Sequence, residues 1–231
     1  MEKLTDNYLF GIFLTLMLFY VFASLRNKLK KNWLNPLLLS VTIIISLLLI
    51  LDIPYEHYVK GGGLINAFLG PVTVVLSLPL YRQRKLLVEN KYPIIGGITS
   101  GVIAAIVSVV LLCRLLGVNE LIEQSIFPHS VTNPIGVSIC FLLEANEGIT
   151  VLSIMITGVF GMSIAPFIYN MLKINNPVAK GIGLGTSAHA LGTSKAIEMG
   201  QKEGAMSSLA ISVTGLTTVI VVILLQLFGW Y

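Results

Sequence analysis

The chain has 231 residues, of which 55% are hydrophobic and 11% charged, with a mean hydropathy of +0.87 and a formal net charge of +4. A soluble domain carries about 25% charged residues, so this composition excludes a soluble enzyme or binding domain and points to an integral membrane protein. The positive balance falls in short stretches beside apolar runs, where it reports orientation rather than nucleic-acid binding.

In chain order, six uncharged apolar runs are long enough to cross the roughly 30 Å hydrocarbon core as helices. They are residues 8–25, 33–51, 61–81, 92–113, 148–172 and 204–231. The leader MEKLTDN is not basic and no small-residue cleavage site follows, so no cleaved signal peptide is expected. Loops RNKLKK (26–31) and RQRKLLVENK (82–91) are basic, whereas the intervening loop DIPYEHYVK is mixed. The positive-inside rule makes the two basic loops cytoplasmic and the N-terminus external. Within the third run, Gly70, Pro71 and Pro79 interrupt LGPVTVVLSLPLY, either as a kink or with 70–73, including Pro71 and Thr73, lining a cavity.

Two later segments do not read as ordinary spans. Residues 121–148 carry the break HSVTNP, in which Pro134 lacks an N–H and biases Asn133 away from helix. Residues 175–204 carry the break GTSAHALG, inside an uncharged core, 181–194, too short to span. Crossing segments would put ten basic residues inside and five outside; re-entrant hairpins would put twelve inside and three outside. The charge count thus favours hairpins, with 144–148 external and 175–180 cytoplasmic. Two hairpins entering from opposite faces, each followed by a long span, form an inverted repeat, a plan common in secondary transporters. Non-helical backbone at that depth is tolerated only inside protein or along a cavity.

A broken helix exposes N–H groups at the start of its second half, and these attract anions together with the helix dipole. The second halves are expected near 133–136 and 192–194. Ser130, Thr132 and Asn133 supply polar groups at one break; Thr186, Ser187, His189 and Thr193 supply them at the other. Gly185 and Gly192 permit close backbone approach, and Lys195 or His189 could add a cation. The set suits a small carboxylate. The competing readings are hydroxyls bonded to their own helix and small residues that let helices approach. Ser207, outside both breaks, is expected to be silent. Gly97 with Gly101, and Gly161 with Ala165, read as helix packing. Cys113 and Cys140 give no disulfide or metal pattern, the histidines lack metal-ligand spacing, and no enzyme signature is present, so no metal or cofactor is expected.

Three stretches carry a family resemblance: YVKGGGLINAFLGPVTVVLSLPLYRQ, FPHSVTNPIGVSI and GIGLGTSAHALGTSKAIEMGQKEGAMSSLAI. Together they resemble the LrgB/CidB family of bacterial membrane proteins, nearer the CidB branch, over essentially the whole chain. His129 stands where the family pattern has Lys, Asn133 where it has a second Thr, and Gly136 where it has Ala. The His129 departure would make any cationic contact at the first break depend on pH. The resemblance implies one of two roles. One is antiholin-like or holin-like control of murein hydrolase activity and lysis, which no residue reveals. The other is carboxylate movement, as in the related plastid glycolate/glycerate translocator and bacterial pyruvate facilitators. It also implies a small, separately encoded LrgA/CidA-type partner. The expectation is therefore an all-α polytopic protein of the bacterial cell membrane, with six spans plus two broken segments. Residues 1–91 would form a scaffold that self-associates or contacts the partner, and 92–231 a transport core. The core would move pyruvate, glycolate or glycerate, alone or coupled to H+ or Na+.

Overall fold

The computed structural model describes residues 5–29, 36–68 and 84–230, together with Pro71 and Tyr81. No strand occurs among them. Thr73 and most of the third apolar run lie outside the described residues. The helices are α1 (Tyr8–Leu29), α2 (Pro36–Ile50), α3 (Tyr55–Asn66), α4 (Arg84–Glu89), α5 (Lys91–Leu115), α6 (Glu120–Ile126), α7 (Asn133–Leu142), α8 (Glu147–Met171), α9 (Pro177–Met199) and α10 (Gln201–Leu227). Four of them, α1, α5, α8 and α10, are long and apolar enough to cross a membrane. At about 1.5 Å rise per residue, each exceeds the hydrocarbon thickness. Their outer faces expose large apolar side chains such as Phe160, Phe167 and Leu112, a surface suited to lipid and not to water.

For two of the six expected spans the described residues hold only part of the run. Of 33–51, the structure describes α2, a helix of 15 residues. Of 61–81, it describes the end of α3, which begins earlier, at Tyr55. Much of DIPYEHYVK is therefore helix rather than loop. RQRKLLVENK likewise contains the short helix α4.

The chain divides into two compact units, Met1–Gly70 and Pro71–Tyr231. In the first, α1 and α3 cross where Gly11 and Gly61 meet. A Cβ at either glycine would collide with backbone, at the Tyr58 carbonyl or the Tyr8 carbonyl, so only glycine permits this approach. Thr15 and Tyr58 close the crossing with a 2.9 Å hydroxyl contact.

The second unit is built on α5, α8 and α10, with both broken segments folded back between them. Segment one, α6 and α7, forms hairpin 1. Its first leg starts beside the end of α5, where Arg114 Nε lies 4.0 Å from Glu123 Oε2. Its second leg ends beside the end of α10, where Gln226 Nε2 donates to the Leu142 carbonyl at 2.8 Å. Both ends of the segment therefore emerge at one end of the unit. Thr150 on α8 ties the first leg down by donating to the Ser125 carbonyl at 2.8 Å. The break, 127–132, lies deeper: Gly136, just beyond it, packs against Ile154, about two turns into α8.

Segment two is the single helix α9 only by continuity of numbering. Ala188 (φ −129°, ψ 16°) and His189 (φ 41°, ψ −130°) reverse the chain inside it, making hairpin 2. On the way in, Gly181 rests on Met206, Gly185 on Ala210, and Thr186 meets Thr214. On the way out, Thr193 meets Ser207 and Ile197 meets Gly204. Both legs thus start and finish beside the beginning of α10, opposite to hairpin 1. Gly192 packs directly on the Leu184 carbonyl of the other leg. The reversal takes two residues, so the second leg starts at Ala190, earlier than the expected 192–194. His189 is a non-glycine residue at positive φ, a strained geometry held by its surroundings.

The two tips converge on Ile154. Its side chain covers Gly136 of hairpin 1, and its carbonyl accepts from His189 of hairpin 2. Both small-residue pairs act in packing: Gly101 faces Thr186 and Gly161 faces Ala188.

Candidate substrate site

The polar residues singled out in the sequence divide by what their side chains bond. At hairpin 1, His129 Nδ1 lies 3.1 Å from the Ile126 carbonyl; a carbonyl only accepts, so Nδ1 carries the proton. Ser130 and Thr132 are buried. Thr132 is the N-cap residue of α7, with extended backbone (φ −76°, ψ 154°). Such a threonine ordinarily accepts from the N–H two or three residues further on, at Pro134 or Ile135 here. Here Pro134 has no N–H, and Thr132 makes no capping bond.

Thr132 Oγ1 and Asn133 Oδ1 are, among the described residues, the buried side-chain polar atoms without a hydrogen-bond partner. The N–H groups of Asn133 and Ile135 also lack acceptors inside the helix. No acidic side chain sits in the first turn of α7, so the positive end of its dipole is not offset there. An unpaired buried polar group costs about 1–3 kcal/mol. Native proteins keep few of them, and each calls for a partner.

At hairpin 2 the hydroxyls are already engaged. His189 Nε2 donates to the Ile154 carbonyl at 2.9 Å and the ring is buried. Gly158 makes room for it, since a Cβ there would lie 2.6 Å from Nε2. Thr193 Oγ1 donates to the His189 carbonyl at 3.0 Å and meets Ser207 Oγ at 2.7 Å. Having one proton, Thr193 must then accept from Ser207. Thr214 Oγ1 donates to Thr186 Oγ1 at 3.3 Å, and Thr218 bonds back to the Thr214 carbonyl. These hydroxyls fasten the hairpin legs and α10.

The remaining candidates sit apart from the tips. Ser187 is exposed and bonds back to the Gly183 carbonyl at 2.7 Å. Lys195 Nζ is 3.0 Å from Glu198 Oε2, one turn further along the helix. Gly185 and Gly192 are packing points, and Pro71 is exposed. Among the described residues no three His, Cys, Asp or Glu side chains are grouped to hold a metal.

Ser207 is not the bystander its sequence position suggests. Ser207, Thr214 and Thr218 are all buried on α10. Their i, i+7, i+11 spacing places them on one helical face, a signal visible in the sequence but outside the breaks. Thr150 and Gly158 offered no comparable signal, because each acts through a partner distant in the chain.

The LrgB-like family matches residues 15–228. The chain belongs to the LrgB family. It is 33% identical to antiholin-like protein LrgB of Bacillus subtilis (strain 168) over 231 residues, covering 99% of this chain and 100% of that one. It is also 33% identical to holin-like protein CidB of Staphylococcus aureus (strain Mu50 / ATCC 700699) over 218 residues, 94% of this chain and 95% of that one. Protein YxaC of Bacillus subtilis (strain 168) is 33% identical over 201 residues, 87% of each chain. LrgB and CidB thus stand at equal identity to this chain. No solved structure matches it.

Proposed function

We propose that this LrgB-family chain moves a small monocarboxylate, of the pyruvate, glycolate or glycerate class, across the bacterial cell membrane. The observation that carries the reading is the open Thr132 hydroxyl at the start of α7, buried where the two hairpin tips converge. Uncharged donors at a helix N-terminus are the chemistry for a small anion. Hairpins entering from opposite ends, with tips near the middle of α8 and α10, correspond to an inverted repeat with its site near the midplane. In this reading residues 1–91 associate with a second copy or with a small LrgA/CidA-type partner. The N-terminus is external, and H+ or Na+ is the coupling ion if transport is driven.

Uptake of labelled pyruvate and glycolate into proteoliposomes, with and without the small partner, tests it. Saturable uptake inhibited by other small monocarboxylates is expected. The names of the relatives favour a second reading, a holin-like or antiholin-like regulator. A pore of that kind would release neutral solutes of similar size equally well, and that result would replace the transport reading.

Two further results are expected. In a background lacking Cys113 and Cys140, a cysteine at Glu147 should react with an impermeant maleimide from outside, and one at Asn175 only from the cytoplasm; both positions are exposed. The opposite pattern would contradict the assigned orientation, and labelling of both from one side would contradict opposed hairpins. Photo-cross-linkers at Phe13 and Ile45, both exposed, should capture a second copy or the small partner. Capture confined to positions such as Phe160 would move the interface to the transport core.

A further inference from the structure

We infer that a groove along α2 holds an acyl chain of a phospholipid whose headgroup carries a primary ammonium, with that ammonium seated on the Asp52 carboxylate. The site lies in the first unit alone and is independent of the transport reading above. Val41, Ile44 and Leu48 recur at i, i+3 and i+7 and so share one face of α2. With Asp52, Tyr55 and Tyr58 at its end, they line a groove of about 410 Å³. From Val41 to the end of α2 at Ile50 the rise is about 14 Å, about half the roughly 30 Å hydrocarbon core and so close to the depth of one leaflet. The groove's polar end is where the uncharged run stops. Asp6 pairs with Lys60 beside the start of α3, and Thr5 Oγ1 lies 3.1 Å from His57 Nδ1.

Asp52 is poorly placed for folding alone. The Ile53 N–H donates to the Leu48 carbonyl at 2.9 Å, and Asp52, just before it, has a φ of 49°. This is the helix-ending turn in which glycine ordinarily takes the left-handed position. The carboxylate also stands at the negative end of the α2 dipole, where a cation is favoured, and the last turn of α2 holds no basic side chain. Among the described residues no cation pairs with Asp52, and Lys60 is taken by Asp6. The carboxylate and the helix end therefore make a cation seat at the mouth of an apolar slot. Tyr55 and Tyr58, with ring centroids 6.3 Å apart, stand at the same mouth and are rings of the kind that attract cations. A free amine would fill the seat and leave the slot empty. An anionic phospholipid would fill the slot and be repelled at the seat. A phospholipid ending in an ammonium satisfies both, and the phosphate, common to the two lipid classes, does not distinguish them.

The test uses the full-length protein in detergent with dioleoyl phosphatidylethanolamine or dioleoyl phosphatidylglycerol, lipids that share their acyl chains and differ in headgroup. Lipid retained by the protein is counted by native mass spectrometry, and each lipid's shift of thermal unfolding is measured alongside. Wild type should favour phosphatidylethanolamine by about 3- to 10-fold, the range of an exposed charge contact reinforced by a helix end. Asp52→Asn, which keeps the shape and tolerates positive φ, should retain both lipids alike. Asp52→Gly should do the same while unfolding at a higher temperature without lipid, and it decides the matter should the asparagine variant fold poorly. Glu56→Gln, a neighbouring acid outside the groove, should keep the wild-type preference. Free ethanolamine should not displace the lipid, and a photo-reactive residue at Leu48 should capture lipid. Equal retention by wild type, a preference that survives both Asp52 variants or is lost in Glu56→Gln, displacement by free ethanolamine, or capture of a protein chain in place of lipid from Leu48 would each overturn the inference.

Discussion

Thr132→Val is expected to lower carboxylate affinity about 10- to 100-fold, the loss of a hydrogen bond to a charged group, while leaving the protein as stable as wild type or more so. The reason is that Thr132 Oγ1 has no partner to lose in the ligand-free fold, and replacing an unpaired buried hydroxyl with a methyl of similar shape removes a desolvation penalty. Thr193→Val is expected to behave in the opposite way. Its hydroxyl bonds the His189 carbonyl and Ser207, so the variant should lose about 1–3 kcal/mol of stability. Ser207→Ala should be similarly destabilising. The double variant should cost less than the sum, since one contact is removed in all three. Substrate affinity in vesicles and thermal unfolding in detergent, measured on the same preparations, separate the two classes. If Thr193→Val lost affinity at full stability while Thr132→Val lost stability, the anion seat would belong on hairpin 2.

Gly192→Ala should be the most damaging single-methyl change in the second unit. Its Cβ would meet the Leu184 carbonyl and lie 2.7 Å from Ala188 Cβ. None of these atoms is the end of a flexible side chain, so the two legs of hairpin 2 must separate. Overpacking of this kind costs about 1–3 kcal/mol or more, and transport should vanish with the tip displaced. Gly158→Ala acts on the same tip from α8, pushing the His189 ring away from the Ile154 carbonyl. Adding His189→Ala to Gly158→Ala should restore part of the lost stability, because the colliding ring is gone, but not transport. Gly96→Ala, where a Cβ meets nothing within 4 Å, should be neutral or slightly stabilising, by up to about 1 kcal/mol of helix propensity. Equal effects at Gly96 and Gly192 would show that the close approach of the two legs is not required.

Much of this arrangement is legible in the residues. Long uncharged runs give α1, α5, α8 and α10, because only helices that satisfy their own backbone cross hydrocarbon. Pro134 after Asn133 marks the first break, and GTSAHALG marks the second within a few residues. What the hydroxyls do is less legible. A threonine that seats a ligand and a threonine that fastens a hairpin are the same letter; Thr132 and Thr193 separate only when Ser207 is seen opposite one and nothing opposite the other. The sharpness of the reversal at His189 was likewise hidden, since it depends on Gly158 and the Ile154 carbonyl, more than 30 residues upstream. Hydropathy alone does not show where a helix starts: Tyr55–Lys60 is helical despite its mixed charge.

The most direct test of the carboxylate seat is protection of a cysteine placed at Thr132, in a protein lacking Cys113 and Cys140, against a small thiol reagent. The account predicts that saturating small monocarboxylate slows modification of this cysteine, while the corresponding neutral amide does not. It also predicts that a cysteine at the exposed Ser187 reacts at the same rate with or without the acid. Modification at Thr132 that is indifferent to the acid, in vesicles that still take up that acid saturably, would contradict it and place the anion elsewhere in the protein.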